Sequence, residues 1–564
     1  MIAGIDLGTT NSLIGIFDGS QPHLFRNALG AYLTPSAVSV DDDGSVIVGQ
    51  AARDRLITHP RETVASFKRW MGSAKEVRLG SRTFRAEELS ALVLRSLVAD
   101  AEAETGEKIE ETVISVPAYF SDAQRKATRA AGELAGLRVE KLINEPTAAA
   151  LAYGLRERPE GSRFLVFDLG GGTFDVSILE LFEGVVQVHA SAGDNFLGGE
   201  DFLDVLESAC LHELGFQPHA LAPGDREQVR RKLEQAKRAL SQTRSAEIAI
   251  TLAGRELTWS IEEDRFEQLA QPLIQRLRAP LERAMRDANL QPSDLSEIVL
   301  VGGASRMPLV ARTVSRMFGR LPLRHVDPDQ AIALGAAIAA GMKARDSALE
   351  EMILTDVCPY SLGVEVSRQD PGTGQRVGGF FKPIIHRNTT VPVSREDVFF
   401  PIEVRQSRID LRVYQGESPM VAHNILLGEL EIGIVPGLQP QEQAVAVRFT
   451  YDINGVLQVE ATIKRTGEKF ELLLQQNPGV LAEREIRERL AALSALKIHP
   501  RDRQENVATL ARAERVYAER LAWRQTLEEW IAHFRAVVES QDEHLIRSER
   551  QQFEHALDQL ETQP

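Results

Sequence analysis

The chain reads as an α/β region followed by a β-sandwich and a helical tail. Three observations predict this order. An acidic Gly/Thr turn between short apolar strands occurs twice in the first 180 or so residues. Residues 1–346 alternate short strands with amphipathic helices, whereas residues 357–475 alternate apolar and polar positions with period two. From Leu481 to Leu560 the period is helical again and the surface is heavily charged.

The first turn runs from Asp6 to Asn11, between the apolar runs Ile2–Ile5 and Ser12–Phe17. The second runs from Asp168 to Asp175, between Phe164–Phe167 and Val176–Leu179. Each reads as a β-hairpin with a carboxylate at the strand end. Glycines let backbone N–H groups converge into an anion-binding nest, and no Cβ blocks a phosphate. The donors are Gly8, Thr9, Thr10 and Asn11 in the first copy and Gly170, Gly171, Gly172 and Thr173 in the second. Aspartate repels phosphate but can hold a hydrated Mg²⁺ that phosphate shares. One copy alone would pass for an ordinary turn; two copies facing each other would grip a nucleoside triphosphate. Neither copy has the P-loop spacing.

The remaining elements follow in order. Glu111–Val116 is a buried strand stopped by Pro117, and Glu297–Val301 is another that runs into Gly302 and Gly303. Ser121–Gly136 and Arg226–Ser241 have helical period, and Ala331–Arg345 is an alanine-rich helix that closes the region. Glu234, Lys237, Arg238 and Ser241 fall on one face of the second helix; taken alone they read as a solvated charged stripe. Residues 347–356 form a mixed acidic and apolar linker. Ile409–Tyr414, Ala444–Phe449 and Leu457–Ile463 alternate as strands, with turn signals at Pro371–Gly374 and Asn454–Gly455. Residues 357–480 are therefore a β-sandwich candidate, and 481–564 a helical tail.

Bulk composition narrows the function. A chain of 564 residues exceeds one core, so about three or four domains are expected. A net charge of −16 disfavours nucleic acid and anionic membrane as main partners. Cys210 and Cys358 are the only cysteines, which fits a reducing compartment and a cytoplasmic location. The strand at Ile2 leaves no room for a signal peptide, and no apolar run reaches the length of a membrane span. The 12 histidines form no zinc pattern.

At this point the residues resemble a family. Gly4–Ser12, Val116–Phe120, Asn144–Ala150, Asp168–Asp175, Gly198–Asp201 and Val301–Arg306 match, in order, the motifs of the seventy-kilodalton heat-shock chaperones of the DnaK type. The resemblance spans residues 1 to about 480, and the short tail looks most like the small HscC branch. It implies a duplicated, two-lobed, actin-like ATPase, a peptide-binding β-sandwich and a short helical lid. It implies ATP and ADP as ligands, Mg²⁺ held by Asp6 and Asp168 largely through water, and a monovalent cation such as K⁺ at Asp175.

Other roles come from the resemblance alone. Lys68, which by itself reads as a surface lysine, is placed at the γ-phosphate and attacking water. Glu145 positions that water; by itself Asn144-Glu145-Pro146 is a helix start with Asn144 as cap. Glu234 and Lys237 meet the ribose, while Arg238 and Arg306 sandwich the purine with Ser241 nearby. Gly302 and Gly303 close on the base, Asp329 shapes its pocket, and Gly198, Gly199 and Glu200 close from the other side. Ala304 stands where many relatives carry serine, which implies weaker purine bonding and faster exchange. Hydrolysis would be slow without a partner, and Thr173→Ala is expected to bind ATP but hydrolyse it poorly.

Coupling, on the same resemblance, runs through Met352–Asp356, where Thr355 interrupts a run of leucines. Pro117 and Arg125 sense nucleotide, and Arg129 and Lys141 pair with Asp356 or the sandwich when ATP is bound. Val364, Phe399, Ile409, Leu411 and Val413 line a groove for extended apolar peptide, though they also read as ordinary sandwich core. Val377 and Ile402 form an arch over it. Those two residues, the bulk of Ile409 and a long Ser367–Arg376 segment imply a narrow client set. The expected partners are unfolded client polypeptides, a J-domain co-chaperone and a nucleotide-exchange factor. Two readings from other classes stay open: a regulatory ATPase that sequesters one folded partner, and an actin-fold small-molecule kinase.

Overall fold

The structure is a computed structural model that describes residues 1–41, 44–154, 158–182, 185–252, 255–323, 326–344, 354–369, 374–452, 455–474, 500–520 and 523–562. The chain forms two compact units. The first is Met1–Tyr360 with Arg387–Thr390, and the second is Ser361–His386 with Val391–Pro564. The sequence reading ended the first region at residue 346, with a linker to 356. Residues 347–353 of that linker, like the turn residues Pro371 and Asn454 and residues 475–499, lie outside the described residues.

In the first unit, the opening half contains β1 (Ile2–Asp6), β2 (Asn11–Phe17), α1 (Gln50–Thr58), β3 (Glu111–Val116), α2 (Asp122–Leu134), β4 (Arg138–Asn144) and α3 (Glu145–Ala152). β1 runs antiparallel to β2 and parallel to β3, which runs parallel to β4. The second half contains β5 (Arg163–Leu169), β6 (Phe174–Phe182), β7 (Val185–Asp194), α4 (Gly199–Leu214), α5 (Pro223–Ala239), β8 (Glu297–Val301) and α6 (Ala331–Lys343). Here β5 runs antiparallel to β6 and parallel to β8. The two sheets thus repeat one arrangement: a hairpin whose first strand is flanked by a later parallel strand. The duplicated turn is the visible part of a duplicated topology.

Small side chains let the halves close on each other. Val113 and Ile143 of the first sheet share a core with Phe164, Val166, Leu179 and Val299 of the second, joined by Ala148, Ala336 and Ala340 of α3 and α6. A Cβ at Gly4 would sit 2.2 Å from the backbone of Ala336, and one at Gly335 would sit 1.8 Å from the carbonyl oxygen of Ala148. The alanine-rich composition of α6 therefore serves close packing between β1 and α3. α2 starts with a reciprocal cap, in which Ser121 Oγ accepts from Gln124 N–H and Gln124 accepts from Ser121 N–H at 3.0 Å.

Two element boundaries differ from expectation. α5 is Pro223–Ala239, so Ser241 lies in the turn beyond it, where its N–H donates to Arg238 O. The proline at the first helical position moves the start forward. At the linker, β9 (Leu354–Val357) adds a parallel strand to the second sheet, with Leu354 opposite Val186 and Thr355 opposite Gln187.

The second unit holds two four-stranded antiparallel sheets. Its strands are β10 (Leu362–Gln369), β11 (Arg376–Ile385), β12 (Val393–Phe399), β13 (Arg408–Gln415), β14 (Ile425–Gly433), β15 (Val445–Tyr451), β16 (Leu457–Ile463) and β17 (Lys469–Leu474). One sheet has the order β11-β10-β13-β14 and the other β12-β15-β16-β17. The three strands read from the sequence are β13, β15 and β16. Beyond them, α7 (Gln504–Glu519), α8 (Arg524–Glu539) and α9 (Glu543–Thr562) pack around Leu527, Phe534, Phe553 and Leu557. The Gln541 side-chain amide, between α8 and α9, donates to Glu396 O at 2.8 Å and accepts from Glu396 N–H at 3.2 Å on strand β12.

Candidate functional site

The two glycine hairpins touch. A Cβ at Gly171 would fall 1.8 Å from Thr10 Oγ1, and one at Gly172 would fall 2.7 Å from Thr9 Cγ2. Only glycine lets the turns approach this closely. Asp6 ends β1 and Asp168 lies opposite Asp175 across the second hairpin. Asp6, Asp168, Asp175, Glu145, Lys68, Thr9 and Thr173 are all buried. The sequence places their segments far apart; the paired halves bring them together.

Lys68 is the largest departure from a reading of its own neighbours. It is 3% exposed. Ser66 adopts a left-handed φ of 57°, and the short helical turn Phe67–Trp70 that follows directs Lys68 inward. Its ammonium donates to Glu145 Oε1 at 2.9 Å and lies 5.5 Å from the centre of the Phe120 ring. Asp6 accepts from Ser115 Oγ at 2.8 Å, and Asp175 Oδ1 accepts from Tyr119 N–H at 3.0 Å.

Electrostatics sets what this cluster can hold. Burial first, then the Glu145 carboxylate, pushes Asp6 up to about 7 against the pull of Lys68 and Ser115. Burial and Glu145 likewise push Asp175 to about 7. Burial, Glu145, Asp175 and Asp6 hold Asp168 well above the usual carboxylate range. Four carboxylates share one ammonium. A cation would relieve them. Asp168 Oδ2, Asp175 Oδ2 and Thr10 Oγ1 are buried with no hydrogen-bond partner among the described residues. Among those residues no three acidic, histidine or cysteine side chains converge tightly enough to chelate a metal. The donor set therefore suits a hydrated Mg²⁺ that completes its shell with water and phosphate oxygens.

The second half supplies a rim. Gly199 and Glu200 N–H donate to Gly170 O and Gly171 O, each at 2.9 Å. A Cβ at Gly198 would lie 2.5 Å from Gly172 N. Gly302 has a φ of 80°, and a Cβ there would lie 2.4 Å from Leu169 O. A Cβ at Gly303 would meet Asp329 Oδ1 at 2.5 Å. Lys237 is buried, donates to Gly199 O at 2.9 Å and pairs with Glu234 at 2.6 Å. Arg238, exposed, pairs with Glu234 at 2.8 Å, and half-exposed Arg306 pairs with Asp329 at 2.7 Å and with Asp327. Glu234 and Lys237 thus leave the solvated stripe that α5 alone suggests.

A chain of contacts runs from the strand end at Pro117 to the linker. Arg125 donates to Ala118 O at 3.1 Å, Phe120 O at 3.2 Å and Asn144 Oδ1 at 2.7 Å. Asn144 Nδ2 then donates to Asp356 Oδ2 at 2.5 Å. Asn144 stands at the start of α3, as its sequence suggests, but its side chain makes no cap there. Burial, helped by Lys343, holds the Lys141 ammonium below its ordinary range, with Asp356 opposing that shift. Arg129 is buried and donates to Val139 O.

In the second unit Val364 and Val413 are fully buried register partners of β10 and β13, and Leu411 is buried beside them. Phe399 and Ile409 are partly buried, with Lys382 Nζ 5.2 Å from the Phe399 ring centre. Val377 and Ile402 are each 45% exposed.

Sequence reasoning missed several site residues. Arg69 pairs with Asp201 at 2.5 Å and joins the halves beside the hairpins. Ser115, Tyr119 and Asn144 hold Asp6, Asp175 and Asp356. Each sits inside or beside a motif already recognised, which was the available signal.

A family model described as Hsp70 protein matches residues 2–79 and 73–564. The chain belongs to the Hsp70 family. Among curated relatives, Chaperone protein dnaK3 of Thermosynechococcus vestitus is 41% identical over 526 residues, which is 87% of this chain and 75% of that protein. Chaperone protein DnaK of Thermotoga maritima is 40% identical over 487 residues, 84% of this chain and 80% of that protein.

Proposed function

We propose that this Hsp70 chain, an ATP-dependent chaperone and ATPase, cleaves ATP to ADP and phosphate between its two glycine hairpins. The contact between those hairpins, with carboxylate oxygens beside it that have no partner among the described residues, carries the reading. Gly8, Thr9, Thr10 and Asn11 donate to the phosphates from one side, and Gly170, Gly171, Gly172 and Thr173 from the other. The Lys68 ammonium, held by Glu145, orients the attacking water and offsets charge at the transferred phosphoryl group. Asp6 and Asp168 hold the hydrated Mg²⁺; when bound, that ion neutralises phosphate charge. Asp175 takes a monovalent cation such as K⁺. Glu234 and Lys237 meet the ribose, and Arg238 and Arg306 flank the purine with Ser241, Gly302, Gly303 and Asp329. Gly198, Gly199 and Glu200 close the other side.

The first unit acts as the actin-like ATPase and the second as a peptide-holding sandwich with a helical lid. Extended apolar segments of client polypeptides bind along Val364, Phe399, Ile409, Leu411 and Val413, beneath Val377 and Ile402. The Pro117–Arg125–Asn144–Asp356 chain, with Arg129 and Lys141, carries nucleotide state toward the linker. A J-domain protein stimulates hydrolysis, a nucleotide-exchange factor assists release, and the protein works in the cytoplasm. The comparisons favour neither a kinase nor a single-partner regulator. Binding of a fluorescent apolar peptide in ADP and in ATP tests the proposal. Faster peptide release in ATP supports it, and release that ignores nucleotide overturns it.

A further inference from the structure

We infer that Glu207 and Arg230 are positioning residues that set the adenosine half of the site. The inference rests on the ATP-binding reading above.

Glu200, Asp204 and Glu207 recur along one face of α4. α5 presents Arg226 and Arg230 to that face. Arg226 Nε donates to Glu207 Oε1 at 2.5 Å and its Nη2 to Glu207 Oε2 at 3.0 Å. Arg230 Nη1 donates to Glu207 Oε2 at 2.6 Å and to Asp204 Oδ1 at 2.5 Å, and its Nη2 to Glu200 Oε2 at 2.8 Å. Glu207 is 3% exposed. Burial opposes its charge, yet the two guanidinium groups hold its carboxyl below the usual carboxylate range. The Arg230–Glu207 pair at the centre of this branched clasp is largely buried, while Arg226 and Asp204 at its edge are about half exposed.

A buried ion pair adds little stability over apolar packing of the same volume. What this one fixes is the seat of α5 on α4. Arg226, Arg230, Glu234 and Lys237 lie on one face of α5. The first two grip α4. The last two end at the nucleotide rim, where Lys237 reaches Gly199 O at 2.9 Å. Glu200 belongs to both sets: its side chain takes Arg230, and its N–H donates to Gly171 O of the phosphate hairpin at 2.9 Å. A shift of α5 on α4 would move Glu234 and Lys237 while leaving Lys68 and Glu145, which sit in the other half, where they are. The clasp therefore acts on nucleotide affinity and leaves the chemical step alone.

The test uses the full chain with Glu207→Gln, and Arg230→Lys as a gentler variant should the first fail to fold. The readouts are Kd and release rate for a fluorescent adenine nucleotide, kcat at saturating ATP, and Tm. Glu207→Gln should weaken nucleotide affinity about tenfold, mostly through faster release, with kcat within about twofold of the parent. Arg230→Lys should fall between the two. Affinity within about twofold of the parent in a variant whose Tm has dropped would overturn the proposal, because the clasp would then be a scaffold only. A parent chain that takes up no adenine nucleotide overturns the ATP reading itself, which separates the two failures.

Discussion

Lys68 is one ammonium among four buried carboxylates, and its removal should be felt in chemistry before binding. Lys68→Met leaves Glu145 without its 2.9 Å partner. The single-turnover rate should fall about 100- to 1,000-fold, the usual loss for one preorganised charge, while ADP affinity changes little. A second prediction concerns space. Gly171→Ala puts a Cβ 1.8 Å from Thr10 Oγ1 and forces the hairpins apart. Mg·ADP at about 100 times its Kd should stabilise the parent by about 2.7 kcal/mol, and thermal unfolding of Gly171→Ala should show none of that gain. Asp6 and Asp168 were legible from sequence because their turns carry a dense local pattern. Lys68 was legible only through the family motif, since the left-handed Ser66 that tucks it inward leaves no mark in its neighbours. Arg69, Ser115 and Tyr119 were hidden for another reason: their partners lie in distant segments.

Elements were legible where local pattern and burial agree. β3, β8 and β16 run as their apolar runs suggest, because each is a buried strand bounded by a turn signal. α5 was misplaced by a few residues, and Ser241 fell off its end, because charged periodicity on a helix does not mark where the helix stops. The same helix yields a prediction about release. Arg231 pairs with Asp54 of α1 at 3.3 Å, and Gly224 lies against Ile57 O, so helices from the two halves meet. Parting the halves must break this pair. Both partners are about half exposed, so Asp54→Ala should speed ADP release only about two- to fivefold, with a similar gain for the parent at high salt. Stopped-flow release measurements check it. The Glu207 clasp adds a pH dependence. Its folded pKa is below the ordinary 4.5, so its stabilising effect is present above that value and is lost as pH falls through the lower folded one. The Tm gap between the parent and Glu207→Gln should hold from pH 8 to 5 and narrow only below about 4.5.

At the scale of the molecule, the order of regions was legible because the period of the apolar residues switches twice along the chain. The seam was less so. β9 pairs with β7 of the first unit, and that pairing depends on an open sheet edge more than 160 residues upstream, which no local pattern in Leu354–Val357 reveals. The seam matters because a chaperone of this family needs one free energy shared between two sites. If ATP weakens peptide binding by some factor, peptide must weaken ATP binding by that same factor. The factor should lie between about 5 and 150, the span of ordinary coupling energies. Hydrolysis would blur the comparison, so Thr173→Ala is the chain to use: it is expected to keep ATP intact long enough to titrate. Four dissociation constants close the cycle: peptide with and without ATP, and ATP with and without peptide. Equal ratios above about 5 place both ligands on one equilibrium between two states of the chain. A peptide constant that ATP leaves unchanged would mean that the strand seam at Leu354–Val357 transmits nothing and that the two units work independently.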